Sequence, residues 1–249
     1  MVGRSDSRTV GQWMRRWTTL GAAVFLSVGP TAQPSDAQVG HDPARSPYGD
    51  IPPGSRPVLF AGLLSADRGR AGAGTSNALT FGTRFDIPTG KSLIIQFTGA
   101  YLQGDRFIID PRADSTSPAR RTGPVNSDLV LTELAVQLRL TGSKTWRGLA
   151  PYVGVGLGLA FDVNSPGDTT GSNYQFGSKI TLSGATGVRW YPSRRLMVNA
   201  DVRALIWRLR YPVSFHTPAG DGSRVVPLTE PLTDWTLHPW ISLGVGWTF

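Results

Sequence analysis

The chain has no cysteine, only three lysines and three histidines, and no long apolar run. Each shortage closes a route. Without cysteine there is no disulfide framework, and no thiolate for a metal centre or a covalent intermediate. The histidines, His41, His216 and His238, are scattered, and no carboxylates cluster at ligand spacing. No metal site and no cofactor is therefore expected. A membrane-crossing helix needs about 20 consecutive, mostly apolar residues, and the 249 residues nowhere supply them.

Basic charge is abundant but lopsided: 22 arginines against three lysines, with a formal net charge of +8. Arginine suits phosphate, because its planar fork pairs bidentately with oxyanions. A genome rich in Arg codons gives the same count. The arginines are spread along the chain rather than gathered on one face, and no nucleic-acid motif accompanies them, so no nucleic-acid partner is expected.

The first 37 residues divide into three zones. Arg4, Arg8, Arg15 and Arg16 open the chain, an eleven-residue apolar run (Thr19–Gly29) follows, and small residues close it, with Ser35 and Ala37 at −3 and −1 of a cut before Gln38. This is the layout of a secretory signal peptide. Residues 38–57 hold five prolines and no periodicity, as in an exposed linker.

From Val58 onward the apolar period is two. In "PYVGVGLGLAFDV" the odd positions from Val153 to Val163 are apolar, while the even ones are Tyr152, three glycines, Ala160 and Asp162. Alternate side chains of a strand face opposite ways, so one face is greasy and the other small or polar. The pattern places strands at 58–66, 77–87, 92–102, 128–141, 149–163, 174–191, 196–211 and 235–249. Short connections (88–91, 142–148, 192–195) alternate strictly with long polar ones (67–76, 103–127, 164–173, 212–234). A soluble sandwich or lipocalin-like barrel imposes no such order, whereas a transmembrane barrel has short turns on one side and long loops on the other. The expected fold is all-β: an eight-stranded antiparallel up-and-down transmembrane barrel over residues 58–249. Arg84, Asp86, Glu133, Arg139, Asp201 and Arg203 share the face opposite the aliphatic stripe, together with Gln96, Gln137 and Asn199. They are expected to form a polar network in the lumen, with intra-strand pairs Arg84–Asp86 and Asp201–Arg203.

The closing stretch "HPWISLGVGWTF" alternates Ile241, Leu243, Val245, Trp247 and Phe249 with small or polar residues. This strand with its terminal aromatic resembles those of bacterial outer-membrane β-barrel proteins, and the strand count resembles the small OmpA/OmpX-like and OmpW-like types. The resemblance implies an outer-membrane location, Trp247 and Phe249 as an assembly signal read by the barrel-insertion machinery, and a monomer among lipid and lipopolysaccharide. Arg208 and Arg210, in phase with Val198 and Val202 and beyond the about 9–11 residues of a crossing, would face lipopolysaccharide phosphates. A bulge near Ala204 would instead turn both inward.

Three functional readings follow. One is a filled barrel with a structural or surface-interaction role and no catalysis, the reading favoured here. A second is an OmpW-like conduit for small apolar molecules, for which Leu205, Trp207 and Leu209 would line an opening. The third is a lipid-modifying enzyme, for which only His216 with Ser214, Asp221 and Ser223 offers a nucleophile–base neighbourhood, one that a Ser- and Asp-rich loop also yields by chance.

Overall fold

The computed structural model describes residues 46–164 and 172–248. The expected signal peptide, His41 and Phe249 lie outside them. Eight long strands form the wall: β1 (Arg56–Leu64), β2 (Ala78–Pro88), β3 (Leu93–Gln103), β4 (Asp128–Arg139), β5 (Leu149–Asn164), β6 (Ser178–Trp190), β7 (Leu196–Arg210) and β8 (Thr233–Trp247). Each pairs antiparallel with the next, and β8 pairs with β1 from Trp240↔Leu64 to Gly246↔Val58, which closes the barrel. No helix among the described residues is long and apolar enough to cross a membrane.

The partition between faces is the reverse of a soluble protein's. Leu59, Leu63, Val155, Leu157, Ile180, Ile241, Leu243 and Val245 are all more than half exposed. Arg56, Arg84, Arg189 and Arg203 are fully buried. A β-strand buries charge and exposes aliphatics in this way only when its outer solvent is apolar. Aromatics bound the outer belt: Trp146, Trp190 and Trp247 at the short-turn end, Trp235 at the other. Trp235 and Trp247 share β8, twelve residues apart. At about 3.3 Å per residue and a tilt near 40°, the girdles stand about 30 Å apart, bilayer thickness.

Three differences from the sequence reading have physical causes. The expected linker does not stay free up to residue 57. Tyr48–Asp50 pairs with Lys144–Trp146, and β1 begins at Arg56, whose side chain enters the lumen and donates to Thr248 Oγ1 (2.9 Å). The sixth strand starts at Ser178 rather than 174, because Ser172–Gly177 folds over the barrel mouth and buries Tyr174 and Phe176. The long connection after β3 carries a hairpin of its own, Asp105–Ile109 with Arg121–Asn126.

The glycines of β5 set the bore. Gly156 faces inward opposite β4 and β6, and a Cβ there would lie 2.6 Å from Ser183 Oγ and 2.8 Å from Glu133 Cδ. Gly184, on the outer face, has nothing within 4 Å of its Cβ position. Gly156→Ala is therefore expected to cost about 1–3 kcal/mol by overpacking, and Gly184→Ala close to nothing, read from unfolding in detergent. Equal melting of the two variants would refute the tight-bore account.

Candidate functional site

The lumen has two layers. The half nearer the short turns is ionic. Asp201 on β7 is its hub: Oδ1 accepts from Arg203 Nε at 2.7 Å and from Arg84 Nη2 at 3.3 Å, while Oδ2 accepts from the Tyr152 hydroxyl. Arg203 also donates to Glu133 and Gln96. Gln96 donates to Asp86 Oδ1 (2.7 Å), and Asp86 Oδ2 pairs with Arg189 Nη2 at 2.8 Å. Gln137 links Gln96 to Arg189. Arg84 is bracketed by a donation to Ser242 Oγ (2.8 Å) and by the Phe60 ring, 4.1 Å from its guanidinium carbon.

The structure thus joins five of the six arginines and carboxylates named from sequence, in a pairing of its own. Asp201–Arg203 is the intra-strand pair expected. Arg84 and Asp86 do not pair with each other: Arg84 reaches Asp201 and Asp86 reaches Arg189, because the narrow bore brings other strands within a guanidinium's length. Arg139 stands apart at the short-turn mouth, where Nη2 donates to the carbonyls of Gly90 (3.2 Å) and Lys91 (2.9 Å). Sequence reasoning missed Arg189 and Tyr152. Both lie in the inward phase of their strands, so the period-two pattern held the signal for their facing, though not for their partners.

The other half of the lumen is apolar. Leu129, Leu131, Leu205, Leu209 and Trp240 from the wall meet Ala73, Tyr174, Phe176, Phe215 and Val226 from the long loops. Trp207 is 1% exposed, stacked on His238 with ring centroids 3.8 Å apart and met edge-on by Phe176. His238 Nδ1 accepts from the Asp67 backbone N–H (3.1 Å), which ties the first long loop to the wall. Trp240 marks the boundary, donating through Nε1 to Thr80 Oγ1 (2.8 Å) with Arg203 5.6 Å from its ring centroid.

A closed eight-stranded wall, an apolar outer belt between aromatic girdles and a charged interior now stand together. This is the architecture of a small eight-stranded transmembrane β-barrel. No family model and no curated protein matches the chain. Among solved structures it is similar to the outer membrane protein OprG from Pseudomonas aeruginosa (11% identity, TM-score 0.48, covering 80% of this chain and 98% of that one). It is also similar to Neisserial surface protein A (14%, 0.43, 82% and 98%) and to the N-terminal β-barrel domain of Pseudomonas aeruginosa OprF (16%, 0.41, 80% and 99%). These are likenesses of fold.

On the barrel's outer face the β7–β8 register runs unbroken from Leu196↔Trp247 to Arg210↔Thr233, with no bulge at Ala204. Arg208 and Arg210 are exposed there, while Leu205, Trp207 and Leu209 point inward. Trp247 faces outward in the girdle. The nucleophile–base neighbourhood does not assemble: Ser214 Oγ donates to Ser172 O (2.7 Å), and the His216 ring meets Glu230 O (3.2 Å). No group of three or more metal-ligating residues occurs among the described residues.

The barrel's second and fourth long loops are locked by Asp221. It accepts from the hydroxyl and backbone N–H of both Ser223 and Ser115. The Ser223 hydroxyl first, then those backbone N–H groups, hold its carboxyl well below the usual carboxylate range. Because the folded pKa is depressed, the lock is fully present above the ordinary Asp pKa near 3.9 and weakens only as pH falls through the lower folded value. Asp221→Ala should speed proteolytic nicking of these loops at neutral pH and leave barrel melting unchanged. An unaltered cleavage rate would show that the lock holds nothing.

Asp201 has a larger effect. Removing it leaves Arg84 and Arg203 buried without their shared counterion, and breaking a buried pair on one side costs about 3–5 kcal/mol. Asp201→Ala should lower stability in detergent by that order, measured by denaturant unfolding, and Asp201→Asn by less. A loss below about 1 kcal/mol would mean the network is not a unit.

Proposed function

We propose that this protein is a sealed barrel of a bacterial outer membrane with a structural or surface-interaction role, neither a conduit nor an enzyme. The observation that carries this reading is the filled lumen. Side chains cross it at every level, from Arg189 and Gln137 through the Asp201 hub to Trp240, Trp207 and the Tyr174–Phe215 stack. An eight-stranded wall is only just wide enough for its side chains to fill. An ionic layer and an apolar layer in series oppose different permeants: the first repels apolar solutes, and the second strips ions of water at a cost of several kcal/mol. What remains for solvent is the loop face, where the second and fourth long connections interlock through Ser115 and Asp221 and the first is tied to the wall through Asp67.

The location rests on the signal-peptide layout of residues 1–37 and on Trp247 and Phe249 as an assembly signal for the barrel-insertion machinery. The chain works as a monomer among outer-membrane lipids. Reconstituted in planar bilayers, the intact protein should add no steady conductance, and liposomes carrying it should not swell in small sugars. Sustained channel currents would overturn the sealed reading, and recovery of the mature protein from the soluble periplasm would overturn the location.

A further inference from the structure

At the long-loop rim, between β6, β7 and the segment leading into β6, the outer wall carries a groove of 680 Å³. Its floor is aliphatic, with Ile180 and Leu182, and Trp235 stands at its edge. Its upper border is cationic, with Lys179, Arg208 and Arg210. Among the described residues no carboxylate lines it, and no ion pair engages any of the three cations.

The register sets the height of each part. Arg208 pairs with Trp235 and Arg210 with Thr233, so one arginine stands level with the aromatic girdle and the other one row beyond it. Arg208 is held in place: Nη2 donates to Thr233 Oγ1 at 3.0 Å, and the guanidinium carbon lies 6.0 Å from the Trp235 ring. Lys179 is anchored by a donation to Phe176 O. Arg210 is exposed, and among the described residues its guanidinium makes no hydrogen bond or ion pair, which leaves it open to an oxyanion. Below this row the groove opens onto the hydrocarbon belt.

The geometry points to a binding site for a phosphorylated, multiply acylated lipid of the outer leaflet, the chemistry of lipopolysaccharide's membrane anchor. Phosphate would be gripped by Arg210, Arg208 and Lys179, and an acyl chain would lie along Ile180 and Leu182. A soluble anion would have no use for the apolar floor, and an acidic protein could not reach a floor that faces hydrocarbon. Guanidinium–phosphate pairs are short, charge-assisted and often bidentate, and they gain strength at the low-dielectric edge of a membrane. The volume falls within the about 300–1,000 Å³ of ordinary ligand sites. The inference rests on the outer-membrane reading above.

The test uses the full mature chain folded in zwitterionic detergent, with binding measured by calorimetry for lipopolysaccharide, its dephosphorylated form, its deacylated phosphorylated form and inorganic phosphate. Intact lipopolysaccharide should bind at least about tenfold tighter than either stripped form, and inorganic phosphate should not displace it. The triple variant Lys179→Ser, Arg208→Ser, Arg210→Ser should lose at least about tenfold for the intact lipid only, while Arg112→Ser with Arg224→Ser, on the loops, changes nothing. Arg210→Ser alone, which removes no hydrogen bond or ion pair among the described residues, should lose several-fold, so the site stays testable if the triple variant misfolds. Undiminished affinity in Arg210→Ser and the triple variant, equal binding of the dephosphorylated lipid, or displacement by inorganic phosphate would overturn the site. A wild type that fails to insert into lipid vesicles would instead overturn the outer-membrane reading, so the two failures are distinct.

Discussion

Closure of the sheet on itself is the constraint from which the other features follow. A strand edge in hydrocarbon leaves its N–H and C=O groups without water, at several kcal/mol per unsatisfied group. Pairing β8 with β1 removes the edge. Once the wall is closed, every residue faces either lipid or lumen, and the period of two assigns each to one side. An Arg near the midplane on the wrong side costs about 2–4 kcal/mol, so a slip of one residue in register would be punished on all eight strands at once.

A closed wall of only eight strands creates a second demand, because its interior must be filled by its own side chains. The bore is narrowed by long residues and relieved by short ones. Gly156 makes room for Glu133, and Gly187, whose Cβ would lie 2.6 Å from Tyr152 Oη, makes room for that ring. The charges accommodated this way are not independent pairs. Asp201 serves Arg84, Arg203 and Tyr152 together, and Gln96 serves Asp86, Gln137 and Arg203, so the stability of each contact depends on its neighbours. Where loops rather than solvent cover the mouth, the lining turns aromatic and aliphatic.

Much of this was legible in the amino-acid sequence, for a definite reason: facing and crossing length are local properties. Alternation over ten or more residues determined that Arg84, Glu133, Asp201 and Arg203 turn away from the aliphatic stripe, and that Arg208 and Arg210 run with it beyond the crossing. The rhythm of short and long connections determined the number of strands and their up-and-down order. Partners were not local. Asp86 has Arg84 two residues away yet pairs with Arg189, more than a hundred residues on, because closure and strand stagger, which leave no trace in any one strand, decide what lies across the bore. Nor could sequence show that Tyr174 and Phe176, which stand in phase with Ile180 and Leu182, leave the wall to plug its mouth, or that Lys179 joins Arg208 and Arg210 over one groove. Periodicity states which way a side chain points. Only the closed tertiary structure, by bringing distant strands and loops within a side chain's reach, decided what each one meets there.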